Sequence, residues 1–411
     1  MQRKHMVNLL KILVAVALVA FVLSNVSWRD RYQIVEKKGK DSIVHVEQPG
    51  SIRGDWRADP LRFVPEGQEA EIDPRDRLAE FEGAKFELRP GLPTYLRAMD
   101  LLYFFLGSLG FFVGVFVGSL RWHWLLRVNE LGVSWSQAFR LTWIGIFFNN
   151  VVPGLTGGDL VKAFYIARIT GKKTRSVLTV IVDRVMGLVA LAVLTGIVVF
   201  WRVGDLPMIA YGVWAGLLGL LLASTFVLSR RLRSMLKVDR ILRRLPGSRL
   251  LMSIDESLYL YRSHLPGLFF WMAASVLNHV VMVGGIYLIG EALGVGASPL
   301  DYLILVPVIQ IASAVPLAPA GWGVGEALFG YLFSHYAYQG LPMASVNVGA
   351  AIEVMRTRAI ALSIVYRVQI MLWSLLGALF LAFQKGRASS EEMSQLMNDL
   401  DEEEPGSAGR A

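Results

Sequence analysis

LTWIGIFFNNVVPGLTGGDLVKAFYIA, residues Leu141–Ala167, is apolar enough to lie in a bilayer, yet Asn149, Asn150, Pro153, Gly154, Gly157, Gly158 and Asp159 break it in the middle. Basic residues stand on both sides, with Arg121, Arg127 and Arg140 before it and Arg168, Lys172, Lys173 and Arg175 after it. Lys and Arg concentrate in the cytoplasmic loops of membrane proteins, so both flanks read as cytoplasmic. A segment that enters and leaves on one side is a re-entrant hairpin. Broken backbone at membrane depth is tolerated only against protein or a water-filled cavity. The stretch therefore predicts a membrane protein with an irregular interior.

The rest of the chain agrees. Of 411 residues, 54% are hydrophobic and only 18% are charged, and the charges cluster between long apolar runs. About 20 apolar residues span a hydrocarbon core. Spans are expected over Asp100–Leu120, Val177–Trp201, Met208–Leu228, Leu268–Leu293 and Ile360–Phe383. Gly107, Gly110, Gly114 and Gly118 give the first of these the small-residue spacing that lets helices approach closely, although a merely flexible glycine-rich helix has the same pattern. Between it and the hairpin, Trp122, Trp124 and Trp135 among basic residues read as an amphipathic interfacial segment. The densest basic run, Arg230 to Arg249, marks the inner face; orientation by positive charge accounts for it, and it would also hold anionic lipid nearby.

The ends differ from this core. Residues 1–28, basic and then apolar with no small-residue cleavage site, read as an uncleaved signal anchor with the N-terminus inside. Residues 29–98 are densely charged and punctuated by Gly and Pro, with strands expected at Ser42–Val46 and Lys85–Leu88. This is a small, mostly β domain on the extracytoplasmic side. Residues 99–384 form the transmembrane domain, and 385–411 an acidic, disordered cytoplasmic tail. The fold class is an all-α polytopic bundle in the cell membrane, with a β insert and both termini cytoplasmic.

A second broken segment, Leu303–Phe333, carries Pro307, Pro316, Pro319, Gly321, Gly323 and Gly325, followed by Glu326. VVPGLTGGDLVKAFY (Val151–Tyr165) and LAPAGWGVGEALFGY (Leu317–Tyr331) each run from proline through glycines to an acid that opens a helix. Asp159 then corresponds to Glu326, and by the count of spans the two hairpins enter from opposite faces. Inverted repeats with interrupted helices point to a transporter-like site near the midplane. The exposed N–H groups of such helix starts suit a phosphate. Two other readings stand beside this one: the acids only cap their helices, or each break simply ends two ordinary helices with a tight loop.

Charge inside the membrane costs about 2.5–3.5 kcal/mol on insertion scales and needs a cavity or partner. Asp183, Arg184 and Arg367 lie within apolar runs. They read as contacts for a lipid phosphate, as groups snorkelling to the interface, or as internal ion pairs of Arg184 with Asp159 and Arg367 with Glu326. Asn278 and His279 read as helix–helix hydrogen bonders, and Glu353, Arg356 and Arg358 as local pairs or an interface.

The net charge of +8 sits beside apolar runs, which speaks against nucleic acid. Cysteine is absent and the six histidines are scattered, so no metal site is expected. No phosphate-binding Gly-x-x-x-x-Gly-Lys loop and no nucleophile elbow occur. Neither a cofactor nor enzymatic activity is expected.

NNVVPGLTGGDLVKAFYIAR (Asn149–Arg168), DRVMGL (Asp183–Leu188), PLAPAGWGVGEALFGYL (Pro316–Leu332) and IVYRVQIMLWSLLG (Ile364–Gly377) together resemble the lysylphosphatidylglycerol synthase transmembrane family, also called the flippase-like domain. The resemblance covers Asp100–Gln384. It implies a multi-span bundle with re-entrant hairpins. Some members carry an aminoacyl-tRNA-dependent transferase and move aminoacylated phosphatidylglycerol between leaflets; others serve polyprenyl-phosphate or glycolipid pathways. Here only the acidic tail follows Gln384, which gives lysyl transfer no support, and the insert over 29–98 is foreign to the family core. The expected function is binding and translocation of an anionic, phospho- or polyprenyl-phosphate-linked lipid. The alternative is a non-transporting accessory subunit that anchors an envelope or glycolipid assembly through its outer domain. A lipid-modifying enzyme would need its base among Asp159, Asp183, Glu326 and His279.

Overall fold

The computed structural model describes residues 24, 27–38, 41–81, 83–151, 157–228, 260–314 and 323–383. Outside them lie nearly all of the expected anchor, the basic run over 230–249, the acidic tail, and Pro153, Gly154, Pro316, Pro319 and Gly321.

The sheet near the N-terminus has strands β1 (Asp30–Lys38), β2 (Asp41–Ile52), β3 (Phe63–Pro65) and β4 (Lys85–Arg89). They pair antiparallel in the order β3-β2-β1-β4. The strands expected at Ser42–Val46 and Lys85–Leu88 fall within β2 and β4, and a register shift at Ile34/Val35 bends the β1–β2 ribbon. β1 is central, so Tyr32, Gln33, Ile34 and Val35 are all buried, and this hides the period-2 alternation that marks a half-exposed strand. Tyr32 meets Phe63 edge-on at 5.1 Å over a core of Ile34, Ile52 and Leu61. The buried Asp30 carboxylate accepts hydrogen bonds from Ile52 N (2.7 Å), Gly91 N (2.7 Å) and Thr94 Oγ1 (2.9 Å). It thereby ties the sheet to helix α1 (Leu92–Arg97).

Among the described residues nine further helices follow: α2 (Leu101–Val128), α3 (Trp135–Val151), α4 (Gly157–Thr170), α5 (Lys173–Val198), α6 (Pro207–Leu228), α7 (Leu265–Leu293), α8 (Pro299–Ser313), α9 (Val324–Tyr336) and α10 (Val348–Ala382). Among the described residues four helices are long and apolar enough to cross a membrane, over Leu101–Val128, Lys173–Arg202, Leu265–Leu293 and Val348–Ala382. Their outer faces carry Leu102, Phe105, Phe269, Leu277, Leu372 and Leu375, all exposed. Apolar bands of that extent belong against lipid.

α2 runs eight residues beyond Leu120, because Arg121 is paired inside the protein instead of ending the helix. Arg121, Trp122 and Trp124 therefore belong to a spanning helix and not to a separate interfacial segment. Likewise Pro307 lies inside α8, and the second break falls after Ser313. Ser298 and Asp301 start α8 with a reciprocal capping box and Pro299 at its first turn. The last span begins earlier than Ile360, because residues 348–359 form the first turns of α10.

The chain forms two compact units, one from Met1–Phe111 and Met282–Gln369, the other from Phe112–Val281 and Ile370–Ala411. In the first, Arg89 donates to Glu353 of α10 (3.0 Å), as does Ser27 Oγ (3.0 Å), and Arg358 donates to Tyr95 OH (2.9 Å) and to Gly294 O (2.7 Å). Glu353 and Arg358 are thus the interface that fastens the sheet and α1 to the start of α10 and the end of α7. Here also a Cβ on Gly107 would strike the Gly285 carbonyl, and one on Gly285 would lie 3.4 Å from Gly110. The glycine spacing of α2 is a packing surface at Gly107 and Gly110. At Gly118 a Cβ meets nothing within 4 Å.

Gly107→Leu is expected to lower the thermal midpoint of the detergent-solubilised protein through about 1–3 kcal/mol of overpacking, while Gly118→Leu leaves it unchanged. A second expectation concerns Glu87, which is 3% exposed and whose carboxylate makes no hydrogen bond among the described residues, with the Arg89 guanidinium 3.7 Å away. Burial pushes its carboxyl above the usual carboxylate range and Arg89 only partly offsets this. With a folded pKa above the unfolded one, stability is greatest below the ordinary Glu pKa and falls as pH rises through the folded value. Glu87→Gln is expected to remove that slope, read as an opening free energy across β4, from amide exchange corrected for its intrinsic pH dependence, that no longer falls between acid and neutral pH.

Candidate functional site

In the second unit, α3 and α4 fold back on each other. Gly145 and Gly158 make this possible, since a Cβ on Gly145 would lie 3.0 Å from the Lys162 side chain and 3.1 Å from Gly158 O. Asn149 Oδ1 accepts from Gly158 N (2.9 Å), tying the end of α3 to the start of α4. Asn150 donates within its own helix, to Ile146 O (2.9 Å). At the far ends, Lys172 Nζ donates to Glu130 O (3.1 Å) and Arg175 to the Glu130 carboxylate (3.3 Å), so the pair begins and ends in one place.

Asp159 is the third residue of α4 and pairs with Arg184 of α5. Its neighbour in the site, Asp183, accepts from Arg121 Nε of α2 (2.8 Å). The same guanidinium donates to Asp183 O (3.2 Å) and to Ser275 Oγ of α7 (2.8 Å). Lys162 of α4 places its ammonium 3.8 Å from Asp183 Oδ2 and 4.0 Å from the Trp122 ring centre. Asn278 donates to Gly114 O (3.1 Å) and the His279 ring lies 3.2 Å from Gly187 O, the helix–helix bonds their residue types suggested.

The first unit holds a matching constellation. α8 and α9 fold back on each other, Tyr302 meeting Phe333 at 5.2 Å. A Cβ on Gly340, beyond α9, would strike Gly296 O, before α8, so this pair also begins and ends in one place. Gly323, with φ +82°, turns the chain into α9. Glu326, the third residue of α9, accepts from Gly323 N (2.7 Å) and pairs with Arg367 of α10. Gly325 makes that pair possible, since a Cβ there would lie 2.7 Å from Arg367 Nη2. Glu326 thus caps its helix and also holds an arginine of the next long helix.

The two ion pairs open to the sequence, Asp159–Arg184 and Glu326–Arg367, both form. The residue types left out were Arg121, Lys162 and Ser275. From the sequence Arg121, standing after an apolar run, reads as a mark of the cytoplasmic flank. The signal that finds it is Asp183 itself, a carboxylate within a span that requires a cation. Gly157 is placed as backbone at the start of α4.

Breaking a buried pair leaves its partner uncompensated, at about 3–5 kcal/mol. Glu326→Ala is therefore expected to destabilise the purified protein strongly, and the exchange Glu326→Arg with Arg367→Glu to recover part of the loss. Thermal unfolding followed by size-exclusion chromatography measures both.

A family model described as "Lysylphosphatidylglycerol synthase TM region" matches residues 91–357, leaving the four-stranded sheet outside the match. A UPF0104 membrane protein of Pyrococcus horikoshii is 28% identical over 167 residues, covering 38% of this chain and 50% of that protein. The match therefore spans about half the length of that curated relative. No solved structure matches. With the match covering well over half of its residues, four helices able to span a bilayer and the paired Gly-acid helix starts in place, the chain is a multi-pass membrane protein of the lysylphosphatidylglycerol synthase transmembrane family.

Proposed function

We propose that this protein binds an anionic lipid within the membrane and moves it between leaflets. The observation that carries the reading is the repeated constellation: in each unit, a helix pair with a Pro/Gly-rich join leads to an acid at the third helical residue, paired with an arginine of the next long helix. We read the two as re-entrant hairpins of an inverted repeat, entering from opposite faces.

An arginine held by a carboxylate is a phosphate receptor in waiting. The guanidinium fork matches either oxyanion bidentately, so a headgroup phosphate replaces the carboxylate without leaving a bare cation. Arg184, with a side chain 39% exposed, is the more accessible of the two, and Arg367 at 17% the more enclosed. Gly157, Gly158, Gly323 and Gly325 keep side chains away from the helix starts, and Asn149 and Asn150 supply neutral hydrogen bonds. Asp183 holds the neighbouring cations.

In this arrangement residues 1–28 anchor the chain, 99–384 carry the transport function, and 385–411 lie in the cytoplasm with the N-terminus. Residues 29–98 form an extracytoplasmic domain available to an envelope partner. The fastening of the sheet to the end of α7 and the start of α10 supports this topology, because the basic-loop count puts those two ends outside as well. The work is transport, not catalysis, in the cell membrane.

Leaflet exchange in proteoliposomes tests the proposal, with fluorescent phosphatidylglycerol and a short-chain polyprenyl phosphate as probes. Protein-dependent exchange of one of them is expected. Asp159→Ala, Arg184→Ala and Glu326→Ala, each verified as monodisperse, are expected to reduce it by an order of magnitude or more, in line with losing a charge-assisted contact. If neither lipid moves with intact protein, while deletion of residues 29–98 abolishes assembly of an envelope complex, the chain is an accessory anchor.

A further inference from the structure

We infer that the Lys162 ammonium is the group that holds the headgroup phosphate in the second unit, an assignment that rests on the transport reading above and narrows it to one atom.

The charge inventory leads there. In this region of the described residues three cations, Arg121, Lys162 and Arg184, meet two carboxylates, Asp159 and Asp183. Arg184 is matched by Asp159. Arg121 is engaged at all three guanidinium nitrogens: Nε donates to Asp183 Oδ1, Nη2 to Asp183 O and Nη1 to Ser275 Oγ. The surplus is therefore Lys162. It is 7% exposed, and its amine makes no hydrogen bond among the described residues. The nearest carboxylate oxygen is Asp183 Oδ2 at 3.8 Å, an ion-pair distance beyond hydrogen-bond reach, and the other oxygen of that carboxylate accepts from Arg121.

An ammonium carries three donors, and a buried charge without a partner is costly. The Trp122 face at 4.0 Å offers cation–π attraction but no acceptor. What completes the site is an anion with several acceptor oxygens and a net negative charge, which a phosphate group supplies. The approach is built in as well. Gly145 lacks the Cβ that would come within 3.0 Å of Lys162 Cγ and Cδ, so the stem passes α3 unhindered. Lys162 stands one turn after Asp159 on α4, on the same face, so a phosphate on Lys162 is next to the Asp159–Arg184 pair whose carboxylate it would displace.

Native mass spectrometry of the full chain in detergent tests this. Retention of phosphatidylglycerol is compared with that of diacylglycerol, which has the same tails and no phosphate. Wild type is expected to retain the phospholipid preferentially. Lys162→Met keeps the aliphatic stem against Trp122 and removes the charge; it is expected to lower phosphatidylglycerol retention about tenfold, the scale of one charge-assisted hydrogen bond, with diacylglycerol unchanged. Lys162→Arg is expected to keep most of the preference. Should Lys162→Met not be monodisperse, Lys162→Gln gives the same comparison. Equal phospholipid retention by wild type and the uncharged variant overturns the assignment and leaves the transport reading standing. Absence of any phospholipid preference in wild type overturns both. Saturating inorganic phosphate is expected to leave the lipid bound; displacement of the lipid, with phosphate adducts on wild type and none on Lys162→Met, would identify the ligand as free phosphate and overturn the lipid assignment.

Discussion

A charged side chain in an apolar helix must find its counter-charge within the protein, and most of the arrangement described here follows from that requirement. Arg184 and Arg367 each lie along a helix whose composition suits the bilayer interior. Each is held by an acid at the start of a different helix, Asp159 and Glu326. For the acid to reach its arginine, the chain must double back, the helix must start at that depth, and the backbone there must come close. Asparagine and glycine meet those needs: Asn149 binds Gly158 N, Gly323 takes a positive φ, and Gly325 leaves room for the guanidinium.

The same requirement explains the length of α2. A basic residue after an apolar run ordinarily marks the membrane edge, but Arg121 continues the helix because Asp183 and Ser275 receive it. Asp183 in turn is a carboxylate with more positive charge around it than it can neutralise. The Asp159–Arg184 pair is the more exposed of the two ion pairs, and the Glu326–Arg367 pair of the first unit the more enclosed. The two constellations have the same layout and different electrostatics. Each is fixed within its own unit by its own partners.

The sheet adds a further constraint. Its central strand is buried on both faces, and Asp30 gathers three donors from separate segments. Through Arg89, Glu353, Tyr95 and Arg358 it is fastened to the ends of α7 and α10. Tied to two helix ends by charged hydrogen bonds, the sheet belongs to the same compact unit as those helix ends.

By itself the sequence determined the membrane character, the positions of the long helices, the two interrupted segments and the acids that follow them, because apolar length, Pro and Gly act locally and leave a pattern in the chain. The strands of β2 and β4 were legible for the same reason, while β1 was obscured by burial on both faces. Several ion pairings were open in the sequence, and only the tertiary structure chose among them. It paired Arg184 with Asp159 and Arg367 with Glu326, drew Arg121 into the site, and set Lys162 between Asp183 and Trp122. Long-range electrostatics depends on which helices pack together, and residues 121, 162, 183 and 275 carry no local signal that they meet.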